Sequence, residues 1–221
     1  MTMADRIPLS RERIIAAAVA IVDEHGLEAL SMRKLGAALG VEAMSLYNHV
    51  ANKDDVLDGV LDHVLREVPL PDPTLAWDDQ LWVLGRGFRD AGLAHPGVLP
   101  MFGARAIRTI EGHAPLEAAF GILREAGLDR DSALDAFLSM SSFVLGFVLI
   151  DMGGMRQVAD GRALAPEELA ELAADSHPRL VELGEALGNG DTTREFERGF
   201  TMLLDGLRRL IEQQPPTGSS A

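Results

Sequence analysis

Residues 26–53 read GLEALSMRKLGAALGVEAMSLYNHVANK and carry the strongest structural signal in the chain. Ser31 precedes a run with helical spacing, so it is suited to cap a helix over Met32–Leu39 that ends at Gly40. A second short helix is predicted from about Glu42 to His49. Two short helices joined by a glycine turn are typical of a helix-turn-helix, whose second helix can enter the major groove of DNA.

The contact between these two helices needs small residues and flanking apolar ones. We expect Ala37 and Ala38 to provide the small contacts, and the apolar contacts to come from Leu35, Leu39, Val41 and Leu46. The outward face of the second helix then carries small, polar and aromatic groups, which suit a major groove. On spacing alone, an ordinary pair of core helices is an equal alternative.

Net charge at first argues against a nucleic-acid partner. The 221 residues include 20 Lys and Arg against 34 Asp and Glu, which gives −14, whereas DNA affinity depends mainly on basic side chains that neutralise phosphates. Residues 1–53, however, contain six basic and six acidic side chains, so the whole excess of acid lies after residue 53. The charge distribution therefore points to the N-terminal part as the place where DNA could bind.

Helical spacing continues along the rest of the chain. Ser10 is expected to cap a first helix that ends at Gly26, and Asn52 to open a fourth. Pro69, Pro71 and Pro73 then mark a domain boundary, because proline disrupts helices. Further helices are predicted over Trp77–His95, 98–109, 115–126, 131–152 and from a capping box at Thr192, with a mobile connection over 153–165, a short helix from Pro166 and a polar tail from 215.

Several classes of protein are disfavoured. The absence of cysteine excludes disulfide scaffolds and thiolate metal sites, and no enzyme motif or metal-ligand spacing of histidines occurs. We therefore expect no enzyme activity, no metal and no cofactor. No signal peptide is expected, and polar residues interrupt the apolar stretch 133–150, which favours a buried core helix over a membrane span. A cytoplasmic location follows.

The stretch Gly26–Leu35, followed by Leu39-Gly40-Val41 and Leu46–Lys53, closely resembles the TetR family of bacterial transcriptional repressors. The resemblance implies an all-α protein in which three N-terminal helices bind double-stranded DNA and a fourth connects them to a larger helical domain that binds an effector and dimerises. The corresponding boundaries are 1–53 for the helix-turn-helix domain, 54–68 for the connecting helix, 69–214 for the effector-binding and dimerisation domain, and 215–221 for a disordered tail.

Position by position, the family resemblance also assigns the DNA contacts. It implies that phosphate or base contacts come from Ser31, Arg33, Lys34, Ala43, Met44, Ser45, Tyr47, Asn48, His49 and Lys53. Their chemistry is suitable, since an arginine can bridge guanine O6 and N7 while tyrosine and lysine reach phosphates.

The later part of the chain is similar to the tetracycline repressors but lacks their metal ligands. The positions of a metal-binding His and Glu in those proteins are occupied by Met101 and Ile150, and two further polar pocket positions by Leu84 and Pro69. Apolar side chains cannot hold a hard cation that needs oxygen or imidazole ligands. Tetracycline with magnesium is therefore not expected to be the effector.

A largely hydrophobic effector is expected instead. The predicted lining consists of Leu84, Phe88, Met101, Arg105, Phe120, Phe143, Phe147 and Ile150, with Arg105 as a polar anchor for an anionic or carbonyl group. The alternative is that these side chains are packed core and that no effector exists. The protein would then be an effector-independent DNA-binding protein whose C-terminal domain only dimerises.

A homodimer is expected from two helices. The helix over 131–152 is apolar nearly all round, so every side of it must be covered. The last helix carries an apolar stripe, and the resemblance pairs both helices with their symmetry mates in a four-helix bundle. The predicted interface residues are Phe196, Phe200, Leu203, Leu207 and Ile211.

Overall fold

A computed structural model describes residues 8–153, 178–179 and 191–213, and within these ranges all regular structure is helical. The prediction of an all-α fold is confirmed. The elements are α1 (Arg11–His25), α2 (Met32–Leu39), α3 (Ala43–Leu46), α4 (Lys53–Leu65), α5 (Trp77–Ala94), α6 (Ile110–Glu125), α7 (Arg130–Gly153) and α8 (Thr192–Gln213), with 3₁₀ helices over Leu27–Ala29 and Pro96–Met101. The predictions for 154–165, for a helix from Pro166 and for a tail from 215 fall outside the described residues.

The predicted caps of the N-terminal helices are confirmed. The side chains of Ser10, Ser31 and Asn52 each accept a hydrogen bond from the amide three residues later, at 3.2, 3.2 and 2.9 Å. Each cap satisfies one of the amides that a helix leaves unpaired at its start. Gly26 and Gly40 end α1 and α2 with positive φ values of 79° and 68°, which glycine adopts without a steric penalty.

The third helix is shorter than predicted. It covers Ala43–Leu46 rather than 42–49. Beyond it the backbone tightens, since the amides of Tyr47 and Asn48 bond carbonyls three residues back, at 3.3 and 3.4 Å. Such bonds are usual in the last turn of a helix.

The segment from 96 to 112 departs most from prediction. No helix spans 98–109, because the 3₁₀ helix that contains Pro100 ends at Met101. α6 begins at Ile110 instead of Pro115, since the Thr109 hydroxyl accepts a hydrogen bond from the Gly112 amide at 3.0 Å and caps the helix there. Proline within α6 removes one backbone donor without ending the helix.

The start of α8 also shifts by one residue. Asp191, not Thr192, caps it, because its carboxylate accepts from the amides of Thr193 and Arg194 at 3.0 and 3.2 Å. The predicted capping box at Thr192 is therefore wrong, although the helix itself is present.

Packing groups the described residues into two compact units. The first contains the residues up to Thr74 together with Arg86–Ala119, and the second contains Leu75–Gly85 together with the residues from Phe120 onward. α5 and α6 each contribute to both units. The predicted domain boundaries at 53 and 68 are not tested by this grouping and stay predictions.

The core of the first unit forms where α1 packs against α2 and α4. Completely buried apolar side chains come from all three helices and from α3: Ile14, Ala18, Val22, Leu35, Leu46, Val56, Val60 and Val64. A Cβ atom on Gly59 would lie 2.4 Å from Cδ1 of Ile15, so α1 and α4 approach closely there. Burial of this much apolar surface fixes the arrangement of the helix-turn-helix.

An aromatic cluster forms the core of the second unit, where α7 packs against α8. The rings of Phe196 and Phe200 stack with centroids 5.6 Å apart, and the Phe143 ring lies 5.6 Å from that of Phe196. Trp82 contacts Phe200 at 4.7 Å. Aromatic pairs at these separations stabilise a core beyond the area that they bury.

Candidate nucleic-acid interface

Gly36 makes the close contact of the helix-turn-helix. A Cβ atom at this position would lie 2.9 Å from the Val41 carbonyl oxygen and 3.1 Å from the Ala43 nitrogen. The Val41 amide also donates to the Gly36 carbonyl at 2.9 Å. The assignment of this contact to Ala37 and Ala38 is wrong, because both are exposed. The sequence did contain a signal for this contact: Gly36 lies inside a predicted helix, where alanine would be more favourable, so its presence indicates a close approach of backbone.

The ten residues expected to contact DNA all lie at the surface of the first unit. Ser31, Arg33, Met44, Tyr47, Asn48, His49 and Lys53 are exposed, and Lys34, Ala43 and Ser45 are half-buried. Leu46, between them in sequence, is completely buried. This single anchor fixes α3 to the core and leaves its other side chains at the surface.

Three cations of this surface have no acidic partner in the part of the chain that the structure describes. Within the described ranges Arg33, Lys34 and Lys53 form no ion pair, so their charges are available to phosphates. Ser31 uses its hydroxyl to accept from the Lys34 amide and cap α2. We define the side chains of α2, α3 and the start of α4 that were assigned to DNA as the reading face.

An ion pair that the sequence analysis missed positions the start of α4. The Arg11 guanidinium donates to both carboxylate oxygens of Asp55, at 2.7 and 2.9 Å. Asp55 also accepts from the Ala51 amide at 2.7 Å, while its own amide donates to the Asn52 side chain at 2.9 Å, so Asp55 ties the residue before the cap to the first turn of α4. Lys53 is therefore presented from a doubly fixed helix start.

The Arg11 hydrogen bond also holds the pKa of Asp55 below its ordinary value. A carboxylate that is charged at neutral pH keeps the ion pair intact there. The spacing Asn52-x-x-Asp55 was visible in the sequence, but Arg11, the ion-pair partner of Asp55, lies 44 residues earlier on α1.

The predicted anchor role of Arg105 is not tested, but the structure gives its guanidinium partners within the protein. Its Nε donates to Asp58 at 3.0 Å and its Nη2 to Asp54 at 3.1 Å, and Arg108 lies 3.3 Å from the second oxygen of Asp58. Burial lowers the pKa of Arg105, but the hydrogen bonds to Asp58 and Asp54 outweigh it and raise that pKa. A guanidinium already committed to two carboxylates of α4 is not an open anchor for an effector.

The other predicted effector residues are distributed over both units. Phe88 and Met101 belong to the first, and Leu84, Phe120, Phe143, Phe147 and Ile150 to the second. Leu84 and Met101 are buried, and Phe143 and Phe147 join the aromatic cluster. Ile150 is 45% exposed on α7, so its own unit does not enclose it as predicted.

The predicted dimer residues need a larger correction. Phe196, Phe200 and Leu207 are buried within their own unit, and Phe196 is only 1% exposed. A side chain already covered by its own chain cannot form the contact surface for a partner. Leu203 and Ile211 are half-buried.

Other apolar side chains of α7 and α8 are exposed. They are Leu134, Leu138 and Leu149 on α7 and Met202 and Leu210 on α8. We call these five the outer stripe.

In length and composition α7 could also cross a membrane, and 28% of its most apolar 18-residue stretch is buried. The prediction of a buried core helix therefore holds for one side of α7 only.

Comparison with known proteins identifies the family. Residues 14–60 match the model described as bacterial regulatory proteins, tetR family, and residues 70–211 match the tetracyclin repressor-like C-terminal domain. The chain is 35% identical over 201 residues to an HTH-type transcriptional regulator of Saccharopolyspora erythraea, an alignment that covers 90% of this chain and 84% of that protein.

Solved structures agree with the sequence matches. ActR of Streptomyces coelicolor, in complex with actinorhodin, is 33% identical with a TM-score of 0.77, covering 92% of this chain and 99% of that one. BioQ with its double-stranded DNA operator is 27% identical with a TM-score of 0.61, covering 91% and 99%. From its helix-turn-helix, its larger helical part and these matches over nearly its whole length, the chain belongs to the TetR family of DNA-binding transcriptional regulators.

Proposed function

We propose that this protein is a repressor that binds a palindromic DNA operator as a homodimer and is released by a largely hydrophobic small molecule. The observation that carries the proposal is the reading face, which combines exposed polar and aromatic groups with three cations that have no acidic partner among the described residues. The residues after 53 carry the whole excess of negative charge and repel DNA, so association depends on this face. Such a protein acts in the cytoplasm.

The operator is found by selecting bound sequences from random or genomic DNA. A dimer predicts two inverted half-sites about one helical turn apart, roughly 34 to 36 Å. Arg33→Ala, at a base-reading position, is expected to relax selectivity at one base pair of each half-site, whereas Lys53→Ala weakens binding to all sequences alike. Selected DNA without inverted symmetry would contradict the dimeric mode.

A second copy of this chain is the proposed occupant of the outer stripe. The stripe lies on two long helices that pack together in one unit, so two copies can bury it in a four-helix bundle. Leu138→Asp combined with Met202→Asp should yield monomers that bind the operator far more weakly, as measured by analytical ultracentrifugation and gel shift. Leu70→Asp, at an exposed leucine of the other unit, is the matched control and should leave the dimer intact.

The effector is proposed to be a largely hydrophobic small molecule. ActR, which shares this fold, is described with actinorhodin, and the positions that hold metal ligands in the tetracycline repressors carry Met101 and Ile150 here. Titration of the protein–operator complex with actinorhodin and with other hydrophobic small molecules should release the DNA and quench Trp82 fluorescence. An operator complex that no ligand weakens would favour the effector-independent alternative.

A further inference from the structure

His95 joins two helices of the first unit through both nitrogens of its ring. Nδ1 lies 2.9 Å from a carboxylate oxygen of Asp23 in the last turn of α1, and Nε2 lies 2.9 Å from a carboxylate oxygen of Glu67 just beyond α4. The imidazole is 13% exposed. One side chain from the segment after α5 thus connects the C-terminal ends of α1 and α4.

This geometry requires the charged ring. A neutral imidazole has one N–H donor and one lone pair, whereas an ionised carboxylate can only accept. Two carboxylates at hydrogen-bond distance from the two nitrogens are therefore both satisfied only by an imidazolium. Loss of the proton leaves a lone pair facing one carboxylate and breaks one of the two connections.

Asp23 depends on this contact. One carboxylate oxygen of Asp23, Oδ1, is buried without a hydrogen-bond partner in the described part of the chain. His95 contacts the other oxygen and provides the only hydrogen bond of the Asp23 side chain there. Glu67 is better supplied, since its other oxygen lies 3.6 Å from Nε2 of His63. A half-buried carboxylate with one buried oxygen and a single hydrogen bond is costly to leave without its cation, so α1 is the side that loses most.

The backbone holds His95 firmly against α1. Pro96 follows at the start of the 3₁₀ helix, and a Cβ atom on Gly97 would lie only 2.5 Å from the Val22 carbonyl oxygen. The chain therefore reaches α1 at a distance that only glycine permits. The backbone position of His95 next to α1 is therefore set by packing that does not depend on the charge of its ring.

We propose that His95 is a positioning residue whose imidazolium clamps the ends of α1 and α4 together, so that operator binding weakens when the ring loses its proton. α1 packs on α2, which carries part of the reading face, and α4 carries Lys53. The angle between α1 and α4 thus determines how the cations of α2 and α4 lie relative to each other. The effect on DNA rests on the proposed function, whereas the clamp itself does not.

The charges that face His95 fix the sign of the effect. They are Asp23 from α1 and Glu67 from the end of α4, with His63 on the far oxygen of Glu67 and Glu24 paired with His25 beside Asp23 in sequence. Burial lowers the pKa of His95, but the hydrogen bonds to the two carboxylates outweigh it and leave that pKa above its ordinary value. The stabilisation is therefore complete below the ordinary histidine pKa and is lost as pH rises through the raised one.

The clamp is tested on the free protein by NMR titration of the histidine rings and by denaturant unfolding between pH 5.5 and 9. The His95 ring should titrate above the ordinary value of about 6.5. The folding equilibrium constant should fall about tenfold across the transition for each unit by which that pKa is raised. His95→Gln, which keeps one donor without a charge, should abolish this component. His25→Gln, at an exposed histidine two residues after Asp23, should retain it.

Operator affinity provides the second readout. It should fall with rising pH in the wild type and in His25→Gln but not through this transition in His95→Gln. A His95 ring that titrates at or below the ordinary value overturns the proposal, as does a His95→Gln variant that is equally destabilised at every pH, since that is the result of a packing role alone. Failure to bind any DNA at any pH overturns the proposed function and leaves the NMR and unfolding results to decide on the clamp.

Discussion

Arg105 and Asp58 are joined by a hydrogen bond of 3.0 Å across 47 residues of sequence. Asp58 is 16% exposed and also forms an ion pair with Arg108. The segment that precedes α6 is therefore bound to α4 through this carboxylate. This contact links the helix that carries Lys53 to the stretch where the predicted and observed helices differ most.

Removal of Arg105 should therefore destabilise the first unit. Arg105→Ala leaves a half-buried carboxylate with only the more exposed Arg108, and we expect a loss of about 1–3 kcal/mol in the free energy of unfolding, measured with urea. Asp58→Asn in the same chain should recover part of the loss, because the uncompensated charge is then gone. Arg130→Ala, which breaks the fully exposed pair with Asp131, should change stability by less than about 0.5 kcal/mol. Equal losses in the free energy of unfolding for the two arginine variants would show that the contact with Asp58 stabilises the protein no more than an exposed ion pair does.

Asp55 should make stability and operator binding sensitive to acid. Its pKa is lowered in the folded protein by Arg11, so its contribution is present above the ordinary aspartate pKa and is lost as pH falls through the lowered one. Unfolding free energies measured from pH 7 down to pH 2.5 should fall less steeply in Asp55→Asn than in the wild type. Asp135→Asn, on an exposed part of α7, is the control and should follow the wild-type curve.

Gly36→Ala should damage the helix-turn-helix itself. The added methyl group would lie 2.9 Å from a backbone carbonyl that cannot rotate away, and overpacking of this kind costs about 1–3 kcal/mol. Thermal unfolding and gel shift should both report the loss. Gly121→Ala, on α6, meets no atom of the described residues within 4 Å and should instead be neutral or stabilising, because alanine is the better helix former.

Metal removal should leave effector release unchanged. A sulfur atom of Met101 and the aliphatic chain of Ile150 cannot coordinate magnesium, so EDTA added to the operator complex should not alter the concentration of hydrophobic ligand that releases DNA. A shift of that concentration by EDTA, reversed by magnesium, would require metal ligands that the chain supplies elsewhere.

Local features were predictable because they depend on near neighbours in sequence. Ser10, Ser31 and Asn52 cap helices with their own following amides, so a few adjacent residues determine the result. The same reasoning failed at α6, where Thr109 outcompetes the more conspicuous Pro115 as the start signal.

Contacts between distant segments were not predictable in the same way. An amphipathic pattern shows that Phe196 and Phe200 must be covered, but not whether the same chain or a partner covers them, and here Phe143 and Trp82 do so. Arg105 was the best candidate anchor by type, yet its charge is used by carboxylates 47 and 51 residues earlier. Such pairings arise only once the helices have packed.

The aromatic cluster of the second unit has a consequence for motion. A Cβ atom on Gly85 would lie 2.5 Å from the Phe200 ring, and one on Gly199 would lie 2.6 Å from the Phe143 ring, so both rings rest directly against backbone. A phenyl ring can rotate by half a turn only when its surroundings open by the width of the ring, and close-packed backbone opens rarely. The ring-flip rates of Phe143 and Phe200 therefore report how often the packing of this unit opens, and they can be measured on the protein without a ligand.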